Sequence, residues 1–88
     1  MSKIFQGAFV TIEAEFDAAP PAPVTVTVRP ERGTAGAPVA MVATAGRPGH
    51  FTADVHVTAA GRHHYRIETA APQAVIQGEF AVTGSNVD

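Results

Sequence analysis

Polar and apolar residues alternate with a period of two along most of the chain, most clearly over residues 49–82. There Phe51, Ala53, Val55 and Val57 share one parity, Tyr65 and Ile67 form a second run, and Ile76, Phe80 and Val82 a third. A period of two is that of a strand with one buried face. Gly61 and the Ala71-Pro72 pair separate the runs as turns. Upstream, the pattern predicts a strand over 8–17, with Val10, Ile12, Ala14 and Phe16 inward and Thr11, Glu13 and Glu15 outward. It predicts another over 24–29, with Val24, Val26 and Val28 inward and Thr25, Thr27 and Arg29 outward. Residues 38–44 predict a weaker, alanine-rich strand, and 30–36 and 45–49 are turns by composition.

The stretch D-A-A-P-P-A-P at 17–23 must be a loop, because proline has no ladder donor and holds the chain extended. A stiff connector is the preferred reading, with a polyproline ligand for another domain as its rival. Two strands joined by this loop are expected to pair antiparallel, which would bring the outward threonines near Glu13 and Glu15.

Six such strands, or seven, follow one another at short spacing, and no segment has helical periodicity. The expected fold is all-β: a small antiparallel immunoglobulin-like β-sandwich of six to seven strands. The segment A-A-G-R-H-H-Y narrows this further. Immunoglobulin-like sandwiches carry a ring at the corner where the chain crosses between sheets. Here His63 takes the corner position, and Tyr65 follows two residues later, facing the core. On this reading residues 51–57 and 63–69 lie in opposite sheets. The alternative is a plain meander in which they pair. The chain divides into an N-terminal arm at 1–7, the sandwich at 8–83 and a polar tail at 84–88. Ile4 and Phe5 in the arm either cover the bottom of the domain's own core or dock on a neighbouring chain.

Size and charge limit the function. Eighty-eight residues make one small domain, which buries only about 60–65% of its unfolded surface and holds about 5 kcal/mol of stability. With no cysteine there is neither a disulfide nor a thiolate zinc site to add to it. Association with other chains is the remaining source. A net charge of −2 and a pI near 6.0 argue against nucleic-acid binding. No run approaches the ~20 apolar residues of a membrane span. The opening M-S-K-I-F-Q-G-A-F-V lacks the apolar core of a signal peptide. The expectation is a protein made in the cytoplasm.

Candidate chemistry is sparse. Histidines stand at 50, 56, 63 and 64, and histidine clusters bind copper or zinc. By parity His56 points outward with Asp54 and Thr52, His64 outward with Arg66, and His63 inward. His56 and His64 share a ligand only in the meander, and Arg62 and Arg66 would repel a cation beside them. The favoured reading is solvated histidines plus a corner histidine bonded to a backbone carbonyl, with no metal and no cofactor; His50, His56 and His64 remain the ligands of the metal alternative. Glu13 and Glu15 sit two apart on an outward face, and no nucleophile elbow or phosphate-cradling loop is present, so no enzyme is expected. Arg62, His64, Arg66 and Glu68 form an outward stripe facing Gln77 and Glu79. With the outward Val75 and Ala81, this face is either solvated by cross-strand pairing or a docking surface.

Several of these pieces together resemble a known family. F-Q-G-A-F-V-T-I-E-A-E-F, P-A-P-V-T-V-T-V-R-P, G-H-F-T-A-D-V, A-A-G-R-H-H-Y-R-I-E and Q-G-E-F-A-V are similar to segments of the small immunoglobulin-like structural proteins of tailed bacteriophages. The resemblance covers nearly the whole chain. His63 in place of an aromatic and Arg32-Gly33 in place of an Asp/Ser-Gly turn depart from that pattern. The resemblance implies a non-enzymatic virion role: a capsid decoration or cement protein, or one of the head–tail region. Such a protein binds the major capsid protein or the connector and tail proteins in many copies, without nucleic acid or membrane. The residues expected to meet partners are Ile4, Phe5, Arg62, His64, Arg66 and Val75. An adhesive or carbohydrate-binding surface module is the alternative, weakened because the chain has no tryptophan and its one tyrosine, Tyr65, is expected to be buried.

Overall fold

The computed structural model describes residues 3–20, 23–70 and 73–84. Seven strands follow in order: β1 (Phe9–Glu15), β2 (Val24–Pro30), β3 (Val39–Ala40), β4 (Val42–Ala43), β5 (His50–His56), β6 (Gly61–Ala70) and β7 (Gln73–Val82). They form two antiparallel sheets, β1-β5-β4 and β3-β2-β6-β7. This is the immunoglobulin-like arrangement, with the B-E-D strands in one sheet and C′-C-F-G in the other. The core lies between them. Ile12, Ala14, Phe51 and Ala53 come from the smaller sheet and Val24, Val26 and Ile67 from the larger.

Strands β5 and β6 sit in opposite sheets, so the meander is overturned. The expected β1–β2 hairpin is overturned as well. β1 pairs with β5, Ile12 opposite Ala53, and β2 pairs with β6, Val26 opposite Ile67. Glu13 therefore faces Thr52, and Thr27 faces Arg66. The reason lies in the connector and the core. A proline-stiffened segment does not close a tight hairpin, and both strands bury an apolar face that is better covered by meeting across the core than by lying side by side.

The weak strand at 38–44 is split. Its first half bonds to β2 and its second half to β5. Met41 lies between the halves, buried, and its N–H donates to the Val24 carbonyl (2.8 Å). A flexible, unbranched side chain suits a place where the chain changes sheets and leaves an irregular gap.

Thr69 is buried on β6, and its hydroxyl finds no partner among the described residues. A buried hydroxyl without a partner costs about 1–3 kcal/mol. The isosteric Thr69→Val is therefore expected to raise stability by about 1 kcal/mol, read as a thermal midpoint several degrees higher. An unchanged or lower midpoint would mean that the hydroxyl is satisfied.

Candidate interaction site

The outward stripe of β6 lies where the register puts it, with Arg62 opposite Ala81, His64 opposite Glu79, Arg66 opposite Gln77 and Glu68 opposite Val75. Most of its charge is taken up within the chain. Arg62 Nη1 donates to Glu79 Oε1 (2.7 Å), and its Nε lies 3.9 Å from Glu31. His64 sits between the same two carboxylates, 3.2 Å from Glu31 and 3.6 Å from Glu79. Arg66 lies 3.5 Å from Glu68. Each exposed pair contributes a few tenths of a kcal/mol. A groove of about 520 Å³ crosses this face, lined among others by Thr27, Arg29, His64, Arg66 and Gln77. Its size is that of a small-molecule site, but its lining is mostly polar where such sites are mostly apolar.

The inward residues of β6 build the corner. His63 is 3% exposed. Its Nδ1 donates to the Gly61 carbonyl (3.0 Å), which fixes the tautomer because a carbonyl only accepts. Its ring stacks on Phe80, with centroids 5.3 Å apart. Tyr65 is half-buried rather than buried. It stands opposite Gly78, and a side chain on Gly78 would collide with the end of the Tyr65 ring. The tyrosine thus covers a glycine on the edge strand.

The other histidines belong to the smaller sheet. His56 stacks on Phe9 (4.8 Å between centroids), and its Nε2 donates to the Gly7 carbonyl (3.1 Å). His50 is buried, bonded to Thr44 Oγ1 (2.7 Å) and Glu13 Oε1 (2.9 Å). Arg47 pairs with Glu15 beside it. His56 and His64 are in different sheets. Among the described residues no three of His, Asp and Glu come together to hold a metal ion.

The N-terminal arm crosses one flank of the sandwich; Met1 and Ser2, and residues 85–88 of the tail, lie outside the described residues. Phe5 makes a parallel bridge with Thr83. Thr83 N–H donates to the Ile4 carbonyl (2.7 Å), and Gln6 N–H donates to the Thr83 carbonyl (2.8 Å). Gly7 N–H then donates to the carbonyl of Val57, the residue just past β5 (2.7 Å). The arm therefore ties the end of β7 to the start of β1. Beyond that tie, no described strand lies along the outer side of either β1 or β7. Ile4 is half-buried, while Phe5 and Phe9 are 38% and 70% exposed at the tied end, and Val75 on β7 is 43% exposed.

No family model, no curated protein and no solved structure matches this chain.

The structure brings Arg62 and His64 together with Glu31, a residue that composition had assigned only to a turn. Ile4 and Phe5 lie on the flank, apart from the stripe, and Val75 stands on the strand that the two share. Phe9 was legible by parity, since it falls with the outward Thr11, Glu13 and Glu15. The His50 cluster was not, because strand parity places His50 with exposed residues and the turn that covers it comes from 44–49.

Proposed function

We propose that this chain is a non-enzymatic structural protein of a tailed-bacteriophage virion, an immunoglobulin-like module that docks in many copies on the capsid or on the head–tail region. The observation that carries the reading is the flank: an arm joining two sheets whose outer edges stay open, with Phe5 and Phe9 exposed beside them. An exposed apolar surface next to open strand edges is suited to protein partners. The resemblance supplies the partner class, the major capsid protein or the connector and tail proteins. A small domain also gains stability by binding symmetric neighbours. The charged stripe, paired within the chain, contributes orientation at the rim rather than affinity.

The test mixes purified protein with empty heads, isolated tails and connectors. Binding to one of them at a fixed stoichiometry is expected, and removing residues 1–7 is expected to weaken it at least ten-fold. Failure to bind any of the three would overturn the virion reading and return the chain to the class of surface-binding modules. Normal loading of the truncated protein would remove the arm from the interface.

A further inference from the structure

We propose that β7 pairs antiparallel with β7 of a second copy of this chain, across a two-fold axis at Gln77, joining two four-stranded sheets into one of eight. This names one partner within the assembly reading above. It is tested on the protein alone, so that it fails separately from that reading.

The backbone register shows which groups are available. Arg62 C=O accepts from Glu31 N–H (2.9 Å), so the even-numbered residues of β6 bond toward β2 and the odd-numbered ones toward β7. Tyr65 stands opposite Gly78, so the even-numbered residues of β7 bond to β6. The odd-numbered ones, Gln73, Val75, Gln77, Glu79 and Ala81, turn their N–H and C=O groups away. Thr83 confirms the parity, since both its backbone groups bond to the arm.

From Gln73 to Ala81, short of the arm at Thr83, this edge lacks the usual protection. Natural edge strands are blunted by lysine, proline, bulges, inward charges or short length. β7 is ten residues long, contains no lysine or proline, and carries one charge, Glu79, already held by Arg62. Of the other strands that end a sheet, β1 is shorter and presents Glu13 and Glu15, and β3 and β4 are two residues each.

The edge also complements itself. An axis at Gln77 pairs all five free residues: Gln77 with Gln77 of the second copy, Val75 with Glu79, and Gln73 with Ala81. An axis at Glu79 would oppose two carboxylates, and one at Val75 would leave Glu79 and Ala81 over. On the inner face, Phe80 meets Ala74 of the second copy, large against small, and Ile76 meets Gly78 beside the Tyr65 ring that covers it. All four are only half-buried in the single chain, so each gains cover.

Sedimentation equilibrium across roughly micromolar to millimolar concentration, the range suited to a small interface, is expected to show a monomer–dimer equilibrium. A monomer throughout would overturn the proposal. Gln77→Pro removes an N–H that β6 does not use, which an edge strand tolerates. It is expected to leave a folded monomer and no dimer. Should that variant unfold, Val75→Lys, which restores a guard on the outer face, is expected to weaken the dimer at least ten-fold; an unchanged dimer would overturn the proposal. Register is read by cross-linking, since the chain has no cysteine of its own. Opposed Cα atoms of a hydrogen-bonded pair are about 5.5 Å apart, within disulfide reach. Gln77→Cys is expected to oxidise to a dimer at least ten-fold faster than Val75→Cys, whose two copies would stand about 14 Å apart along the strand. Faster cross-linking through Val75→Cys would overturn the axis.

Discussion

Gly49→Ala is expected to cost about 3 kcal/mol or more, most of the stability of a domain this small, and to lower the thermal midpoint by about 15 °C or more. Two effects add. Gly49 has φ +88°, where a side chain strains the backbone. Its missing Cβ would also press into the Phe16 carbonyl oxygen and lie 3.2 Å from the Phe16 carbon. That obstacle is backbone and cannot rotate away, because the two residues are joined there: Phe16 N–H donates to the Gly49 carbonyl (2.8 Å) and ends the β1–β5 pairing. Gly46 supplies the control. It has φ +79° but open space where its Cβ would be, so Gly46→Ala is expected to cost about 1 kcal/mol from backbone strain alone. Thermal melts of the two variants measure the difference. Equal losses would show that the close approach to Phe16 is not a constraint.

The strands and their faces were legible in the sequence because a sandwich imposes a local rule. Each strand has one face in the core, and a period of two records it wherever side chains are unambiguous, as in V-T-V-T-V. Pairing is a different kind of information. Nothing local to β1 and β2 tells whether their apolar faces lie side by side or oppose each other across the core, and the expected hairpin was the wrong choice between them. The corner segment did carry pairing information. A glycine followed two residues later by a buried ring marks a chain crossing between sheets, and the placement of β5 and β6 in opposite sheets follows from it. The sheet change at Met41 left no comparable mark, since V-A-M-V-A reads as one short strand.

The candidate site shows the same division. The stripe on β6 followed from parity, and its β7 partners from a hairpin between adjacent strands. Glu31 did not, because it approaches from the far end of β2, beyond the last paired residue. Its arrival changes the meaning of the stripe. Arg62 and His64 read in isolation as a cationic patch, whereas with Glu31 and Glu79 beside them they form a network with no excess positive charge to offer. The emphasis therefore moves to the open edges, whose existence depends on which strands end each sheet.

His63→Ala is expected to cost about 3 kcal/mol. Removing a buried ring leaves a cavity that the surrounding strands fill only in part. Lost with it are the stack on Phe80, of about 0.5–1.5 kcal/mol, and the hydrogen bond to the Gly61 carbonyl, of about 1 kcal/mol. His63→Phe separates these contributions. It keeps the ring beneath Phe80 and gives up only the hydrogen bond, whose carbonyl belongs to Gly61, still paired with Val82 in the sheet. It is expected to cost about 1 kcal/mol. Urea denaturation of the two variants gives the ranking. If His63→Phe falls as far as His63→Ala, the corner is held by its hydrogen bond and not by packing. If it approaches the parent protein, the histidine is a filler of the corner between β5 and β6, and an aromatic ring at that position would serve the fold as well.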